Sequence, residues 1–259
     1  MTLHVSLEER IGRVLLSRPK AMNSLTVDLV VEIGEAFASL EADGARAAVL
    51  AGEGRCFCAG ADLGLVRSAL EGDAPTVLAP LVDHLHQVIR LMRRLPFPVV
   101  AAVEGPAVGA GMGLALAADL RVVAASAKFI PGYLGIGASP DGGVSYFLAR
   151  SLGAARATSV VVRNWPLDAQ QLLAAGLADE VVDDGTALEA ATALARSVAS
   201  LPPLALMRTR QLIDRATTHG LDDQLDLERE LVSQLWDSSD FKEGVTAFLE
   251  KRSPVYEGR

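Results

Sequence analysis

Arg55-Cys56-Phe57-Cys58-Ala59-Gly60-Ala61-Asp62-Leu63 and Gly105-Pro106-Ala107-Val108-Gly109-Ala110-Gly111-Met112-Gly113 are two small-residue turns far apart in the chain. Each follows a short apolar run that reads as a strand, Ala47–Ala51 before the first and Val99–Val103 before the second. Each also opens a helix-like segment, and the start of a helix leaves N–H groups without an intrahelical acceptor. Two such donors aimed at one oxygen make an oxyanion hole, and small side chains let a bound group come close to the backbone.

Outward from these turns, Leu3–Leu7 and Arg13–Ser17 alternate around Glu9–Gly12 and predict a β-hairpin. Thr26 reads as the N-cap of a helix to Glu41, with Leu29, Val30, Ile33, Phe37 and Leu40 at helical spacing. Residues 64–78 mix Gly, Asp, Pro and Ser with aliphatics and are expected to form a mobile loop or irregular helix. A helix over 81–95 then leads through Pro96 and Pro98 into the second strand, and Leu114–Ala118, Leu120–Ala124 and Lys128–Ile130 predict a helix and two strands. From Gly142 onward the pattern is helical, near 142–151, 154–162, 168–175, 186–200, 203–217, 221–236 and 241–251, with a strand at Glu180–Val182. A spiral β core over 1–200 and a helical region over 201–259 follow from this order. The last helices carry enough Leu, Val and Phe to expect burial against neighbouring subunits.

Composition narrows the function. A length of 259 residues suits one large domain with a small appendage, and half the residues are apolar. The net charge of −8 argues against a nucleic-acid surface, and the basic cluster Arg90–Arg94 falls at a predicted helix end, where it complements the helix dipole. Two cysteines, Cys56 and Cys58, have no second Cys/His pair for zinc, so they read as buried thiols and not as metal ligands. No basic segment precedes an apolar signal core and no apolar run reaches transmembrane length, so a cytoplasmic protein without membrane attachment is expected.

Several motifs fail as other chemistries. Gly109-Ala110-Gly111 lacks the third glycine of a dinucleotide fingerprint, because position 114 is Leu, and no Gly-Lys-Ser/Thr follows for a phosphate loop. Gly137-Ala138-Ser139-Pro140-Asp141 has Asp in place of the last glycine of a nucleophile elbow, and only His219 lies downstream as a base. Asp62 reads as an N-cap that also steadies the neighbouring N–H, and Asp119 as structural. Asp141, inside Ser139-Pro140-Asp141-Gly142-Gly143, reads in isolation as a helix N-cap.

The two turns and their flanks resemble the crotonase (enoyl-CoA hydratase/isomerase) superfamily. The resemblance extends to Gln224-Leu225-Asp226-Leu227-Glu228-Arg229 and Phe248-Leu249-Glu250-Lys251-Arg252-Ser253-Pro254. It implies an α/β fold, a crotonase-like spiral of ββα units with a helical C-terminal trimerisation region. It also implies an acyl-CoA thioester substrate, with the N–H groups of Ala61 and Ala110 on the thioester oxygen. Arg18, Lys20 and Ala21, in Arg18-Pro19-Lys20-Ala21-Met22-Asn23, resemble the segment bordering CoA adenine and phosphates. Ala59, Asp62, Leu63 and Gly109, which flank the two donors, are implied to bind the CoA substrate together with Ala61 and Ala110. Phe248 and Lys251 resemble residues that reach the CoA of an adjacent subunit. A homotrimer or dimer of trimers is implied, with no cofactor beyond the CoA that arrives as part of the substrate.

Hydratases of this superfamily carry two glutamates, at the positions of Gly113 and Tyr133 here, and both are missing. An acid at Asp141 is instead the pattern of enoyl-CoA isomerase branches, including dienoyl-CoA isomerases and the ring-epoxide isomerases of phenylacetyl-CoA catabolism. The resemblance therefore implies double-bond isomerisation, with Asp141 as acid/base and His86 and Tyr133 as possible assistants. Three alternatives stand beside it. They are enoyl-CoA hydration, an Asp141 nucleophile in an aryl-CoA dehalogenase or thioesterase (whose His-Gln pair would match His86-Gln87), and a non-catalytic acyl-CoA binder.

Overall fold

The structure, a computed structural model, describes residues 2–259. The chain divides into two compact units, Met1–Ala195 and Arg196–Arg259. The division falls inside a helix, Ala187–Ala199.

The first unit begins with strands β1 (Leu3–Glu8) and β2 (Ile11–Leu16), antiparallel about Glu9 and Arg10, which both have positive φ. Two consecutive left-handed residues match the right-handed twist of a tight hairpin. Helix α1 (Val27–Ala42) starts at Thr26, whose hydroxyl accepts the Leu29 N–H, and buries the stripe from Leu29 to Leu40. Strand β3 (Ala47–Gly52) is buried throughout. Helices α2 (Leu63–Glu71) and α3 (Ala74–Arg94) follow, then the equally buried strand β4 (Val99–Val103). Next come β5 (Pro106–Val108), α4 (Ala110–Ala117), β6 (Leu120–Ala124) and β7 (Lys128–Ile130). Helices α5 (Val144–Leu152) and α6 (Ala154–Val162), strand β8 (Leu167–Asp168), helix α7 (Ala169–Ala174), strand β9 (Glu180–Val182) and helix α8 (Ala187–Ala199) complete the run.

The strands form two sheets. The larger runs β1-β2-β3-β4-β6-β9, parallel beyond the first hairpin, with Val14 beside Leu50, Leu50 beside Ala101, and Ala101 beside Arg121. Strands inside a parallel sheet are covered on both faces, which is why β3 and β4 read as unbroken apolar runs. The smaller sheet runs β5-β7-β8. The chain thus leaves the large sheet at β4, crosses to the small one at β5, and returns at β6. Asp119 locks that return: its carboxylate accepts the Val99 N–H at 2.8 Å and pairs with Arg93 at 3.0 Å.

Two expectations are corrected here. Residues 64–78 take the irregular-helix alternative and not the loop, being helical apart from a break at Gly72 and Asp73 between α2 and α3, so the helix expected over 81–95 begins at Ala74. Pro75 sits in the first turn of α3, where its missing N–H breaks no bond, and Pro80 is accommodated inside the helix. The second correction is β5, a strand hidden within the second turn. Gly109 follows that strand directly, and not several residues after a strand as the sequence implied; the misplaced third glycine still rules out a dinucleotide fingerprint.

The second unit carries α9 (Pro203–Ala216), α10 (Leu221–Ser233) and α11 (Ser239–Glu250), the last capped by the Ser238 hydroxyl on the Phe241 N–H. Phe248 is 83% exposed and Leu249 75% exposed on α11. No single helix among the described residues is long and apolar enough to cross a membrane.

Candidate active site

The two small-residue turns meet. Val108 N–H donates to the Cys58 carbonyl at 2.9 Å, and Phe57 N–H donates to the Pro106 carbonyl at 3.0 Å. Gly60, at φ +84°, lies so close to the second turn that a Cβ there would be 2.8 Å from the Val108 oxygen and 3.6 Å from the Ala110 nitrogen. Only glycine fits both the backbone angle and the space.

Ala61 is presented by its neighbours. Leu25 donates to the Gly60 carbonyl at 2.7 Å and accepts the Asp62 N–H at 2.9 Å, so the N–H of Ala61 itself turns away from that ladder. Ala110 opens α4 after Gly109, whose own N–H is held by the Ile130 carbonyl at 2.9 Å. Among the described residues, neither the Ala61 nor the Ala110 N–H has an acceptor. Two unpaired donors on adjoining turns, one at a helix N-terminus, make a candidate cradle for an oxyanion.

Asp62 buttresses this cradle as the N-cap of α2. Its carboxylate accepts the Gly64 N–H at 2.9 Å and the Ser24 hydroxyl at 2.8 Å, and pairs with Arg18 at 3.0 Å. The Ser24 hydroxyl first, then the Gly64 N–H and Arg18, hold the Asp62 carboxyl below the usual carboxylate range. Arg18 thus faces inward onto Asp62, while Lys20 is exposed, Ala21 and Ala59 are half-buried, and Leu63 is 78% exposed. Asn23, which sequence reasoning passed over, stitches this segment to the first turn. Its amide donates to the Cys56 carbonyl at 2.8 Å and the Glu53 carbonyl at 3.0 Å, and its oxygen accepts the Arg18 N–H. The available signal was an Asn in a turn, since Asn tolerates the left-handed φ of +53° it adopts.

Asp141 is not a helix cap. Helix α5 begins after Gly143, and Asp141 contributes only its backbone carbonyl, to the Val144 N–H. Its carboxylate instead accepts the Tyr133 hydroxyl on Oδ1 at 2.8 Å, and no described residue donates to Oδ2. Burial, then the Asp141 charge and the bond to it, push the Tyr133 phenol well above its usual range. His86, on α3, accepts the Gly142 N–H on Nε2 at 3.3 Å, which assigns its proton to Nδ1. Gly113 faces the same turn: a Cβ there would sit 2.4 Å from the Gly142 oxygen. Asp141, Tyr133 and His86 are therefore brought together beside α4, in the same unit as Ala61 and Ala110. Phe248 and Lys251 lie in the other unit, both exposed.

Burial pushes both thiols up, Cys58 to about 12, so neither is a nucleophile at neutral pH. No group of three His, Cys, Asp or Glu side chains among the described residues could hold a metal ion.

The family model for enoyl-CoA hydratase/isomerase matches residues 6–259. The chain belongs to the enoyl-CoA hydratase/isomerase family. It is 38% identical over 253 residues to 1,2-epoxyphenylacetyl-CoA isomerase of Escherichia coli K12, covering 97% of each chain. It is 34% identical to 2,3-dehydroadipyl-CoA hydratase of the same organism, covering 99% of each. A solved enoyl-CoA hydratase from Polaromonas sp. JS666 superposes with a TM-score of 0.94 at 37% identity, covering 98% of this chain and 99% of the other. The architecture is the crotonase fold, and the protein is an acyl-CoA enzyme of that superfamily.

Proposed function

We propose that this member of the family shifts a double bond within an enoyl-CoA thioester. The observation that carries the reading is Asp141, an acid with one oxygen unclaimed, at a site where the second carboxylate of a hydratase has no room. Position 113 is closed by the Gly142 carbonyl, and position 133 holds a buried tyrosine bonded to Asp141 itself.

The thioester oxygen sits between the Ala61 and Ala110 N–H groups. Asp141 takes the proton from the carbon beside the carbonyl, and the C–H electrons move into the enolate. The two N–H donors and the positive end of α4 stabilise the charge on its oxygen. The enolate collapses as Asp141 returns the proton to the far carbon of the allylic unit, restoring the carbonyl. One proton moves and no electrons are gained or lost, so this chemistry calls for no redox cofactor, and CoA enters and leaves with the substrate. Lys20, Ala21, Ala59 and Leu63 border the CoA on one side. Phe248 and Lys251 serve a neighbouring subunit of a homotrimer or dimer of trimers, in a cytoplasmic enzyme. The exposed apolar side chains of α11 and an apolar cleft of about 440 Å³ within the C-terminal unit support that assembly.

The test compares a 3-enoyl-CoA, a 2-enoyl-CoA and a ring-epoxide CoA with wild type and Asp141→Asn. Isomerisation is expected to exceed hydration in wild type and to vanish in Asp141→Asn, with acyl-CoA binding retained, because the amide cannot accept the proton. Hydration of the 2-enoyl-CoA without isomerisation would overturn the reading.

A further inference from the structure

A proton shuttle must reach two carbons from one place, so its reacting oxygen has to be fixed. A carboxylate on a Gly-rich turn has no such constraint by itself. Asp141 stands on Pro140-Asp141-Gly142-Gly143, with both glycines at positive φ. Two contacts remove the freedom. The Gly142 N–H is held by His86 Nε2, and Tyr133 grips Oδ1 of the carboxylate.

Tyr133 is itself held firmly. It is 6% exposed, and its ring edge lies 3.7–3.9 Å from where a Cβ on Gly109 would stand. Its carbonyl accepts the N–H groups of Ile136 and Ala138 at 3.0 and 3.1 Å, and the preceding Gly132 N–H bonds the Asn164 side chain at 2.7 Å. Both bonds of the phenol oxygen go to Asp141, the close one to Oδ1 and a longer one, 3.4 Å, to its carbonyl.

We propose that Tyr133 is a positioning residue that pins Asp141 Oδ1 and leaves Oδ2 as the single oxygen that takes and returns the proton. This rests on Asp141 being the base. Without the Tyr133 bond, turning about the Cα–Cβ and Cβ–Cγ bonds would swing the free oxygen out of the short range that proton transfer needs. The phenol holds one oxygen by a charge-assisted bond, and its own ring is clamped against the second turn.

The test is Tyr133→Phe, which keeps the ring against Gly109 and removes only the donor. With 3-hexenoyl-CoA, kcat is expected to fall about tenfold, the order of one lost hydrogen bond to a charged group. KM is expected to stay within about twofold, because the hydroxyl touches Asp141 and not the CoA. Melting temperature and oligomer size serve as controls for folding. A kcat within about twofold of wild type overturns the proposal, as does a loss of kcat matched by a parallel rise in KM, which marks lost packing. Asp141→Asn, measured alongside, separates the two readings. If it stays active, the base assignment fails and the pinning with it. If it is inactive while Tyr133→Phe keeps wild-type kcat, the base assignment stands and the pinning alone is overturned.

Discussion

The backbone carbonyl of Gly142 fills the space that any side chain on Gly113 would need. A Cβ on Gly113 would lie 2.4 Å from that oxygen and 3.2 Å from the Gly142 Cα, both backbone atoms without a rotamer to yield. Helix α4 and the Asp141 turn are therefore packed main chain to main chain, and that contact fixes the turn that carries the Asp141 carboxylate.

Gly113→Ala should consequently damage catalysis without touching the substrate. The added methyl must push the Gly142 turn away, and a misplacement of about 1 Å costs about a hundredfold in rate. Overpacking of this kind also costs about 1–3 kcal/mol of stability. Gly113→Glu is expected to lose isomerisation in the same way and to gain no hydration of a 2-enoyl-CoA. Steady-state rates on both substrates, with a melting curve, check this; a Gly113→Glu enzyme that hydrates efficiently would refute it.

Asp62 predicts a pH-dependent contribution to stability. Its carboxyl is held below the usual range, so it binds its proton less readily folded than unfolded. The stabilisation is thus fully present above the unfolded value of about 3.9 and is lost as pH falls through the lower folded value. Asp62→Asn keeps an oxygen that can cap Gly64 but removes the charge facing Ser24 and Arg18, and should cost up to about 1 kcal/mol at pH 7, the scale of a solvent-accessible ion pair. Below about pH 4 the gap between wild type and variant should narrow. Denaturant midpoints at both pH values test it, and an unchanged gap would remove Asp62 from the support of the first turn.

Much of this was legible in the sequence, for identifiable reasons. Strands β3 and β4 are buried on both faces, so their apolar runs are continuous, and Thr26 and Asp62 announce their helices through local capping chemistry. Strand β5 was not legible, because Pro106-Ala107-Val108 has no strand pattern. It exists by pairing with β7 and by the bridge from Ala107 to Cys58, both tertiary. Beyond the Asp62 cap, the regular body of helix α2 was obscured by Gly64 and Ser68 and by its exposed leucines, which mimic a loop. At the site, Asp141 and Tyr133 were each visible as residues. Their bond across eight positions was not, and only that bond and the Gly143 start of α5 separate a held carboxylate from a helix cap.

Ala110 offers the sharpest separation of backbone from side chain. It is proposed to act through its N–H, so Ala110→Gly, which keeps the donor, should retain most activity. Ala110→Pro removes the donor, and loss of one oxyanion donor costs roughly 2.7–4 kcal/mol of transition-state stabilisation. The position is favourable for this test because Ala110 is the first residue of α4, where a proline breaks no intrahelical bond. The preceding residue is glycine, so the usual clash between a proline ring and the Cβ before it does not arise. A drop in kcat of about a hundredfold to a thousandfold is therefore expected in an enzyme whose circular dichroism and oligomer size match wild type. Near-normal turnover in a correctly assembled Ala110→Pro protein would show that this turn packs the fold and binds no oxyanion.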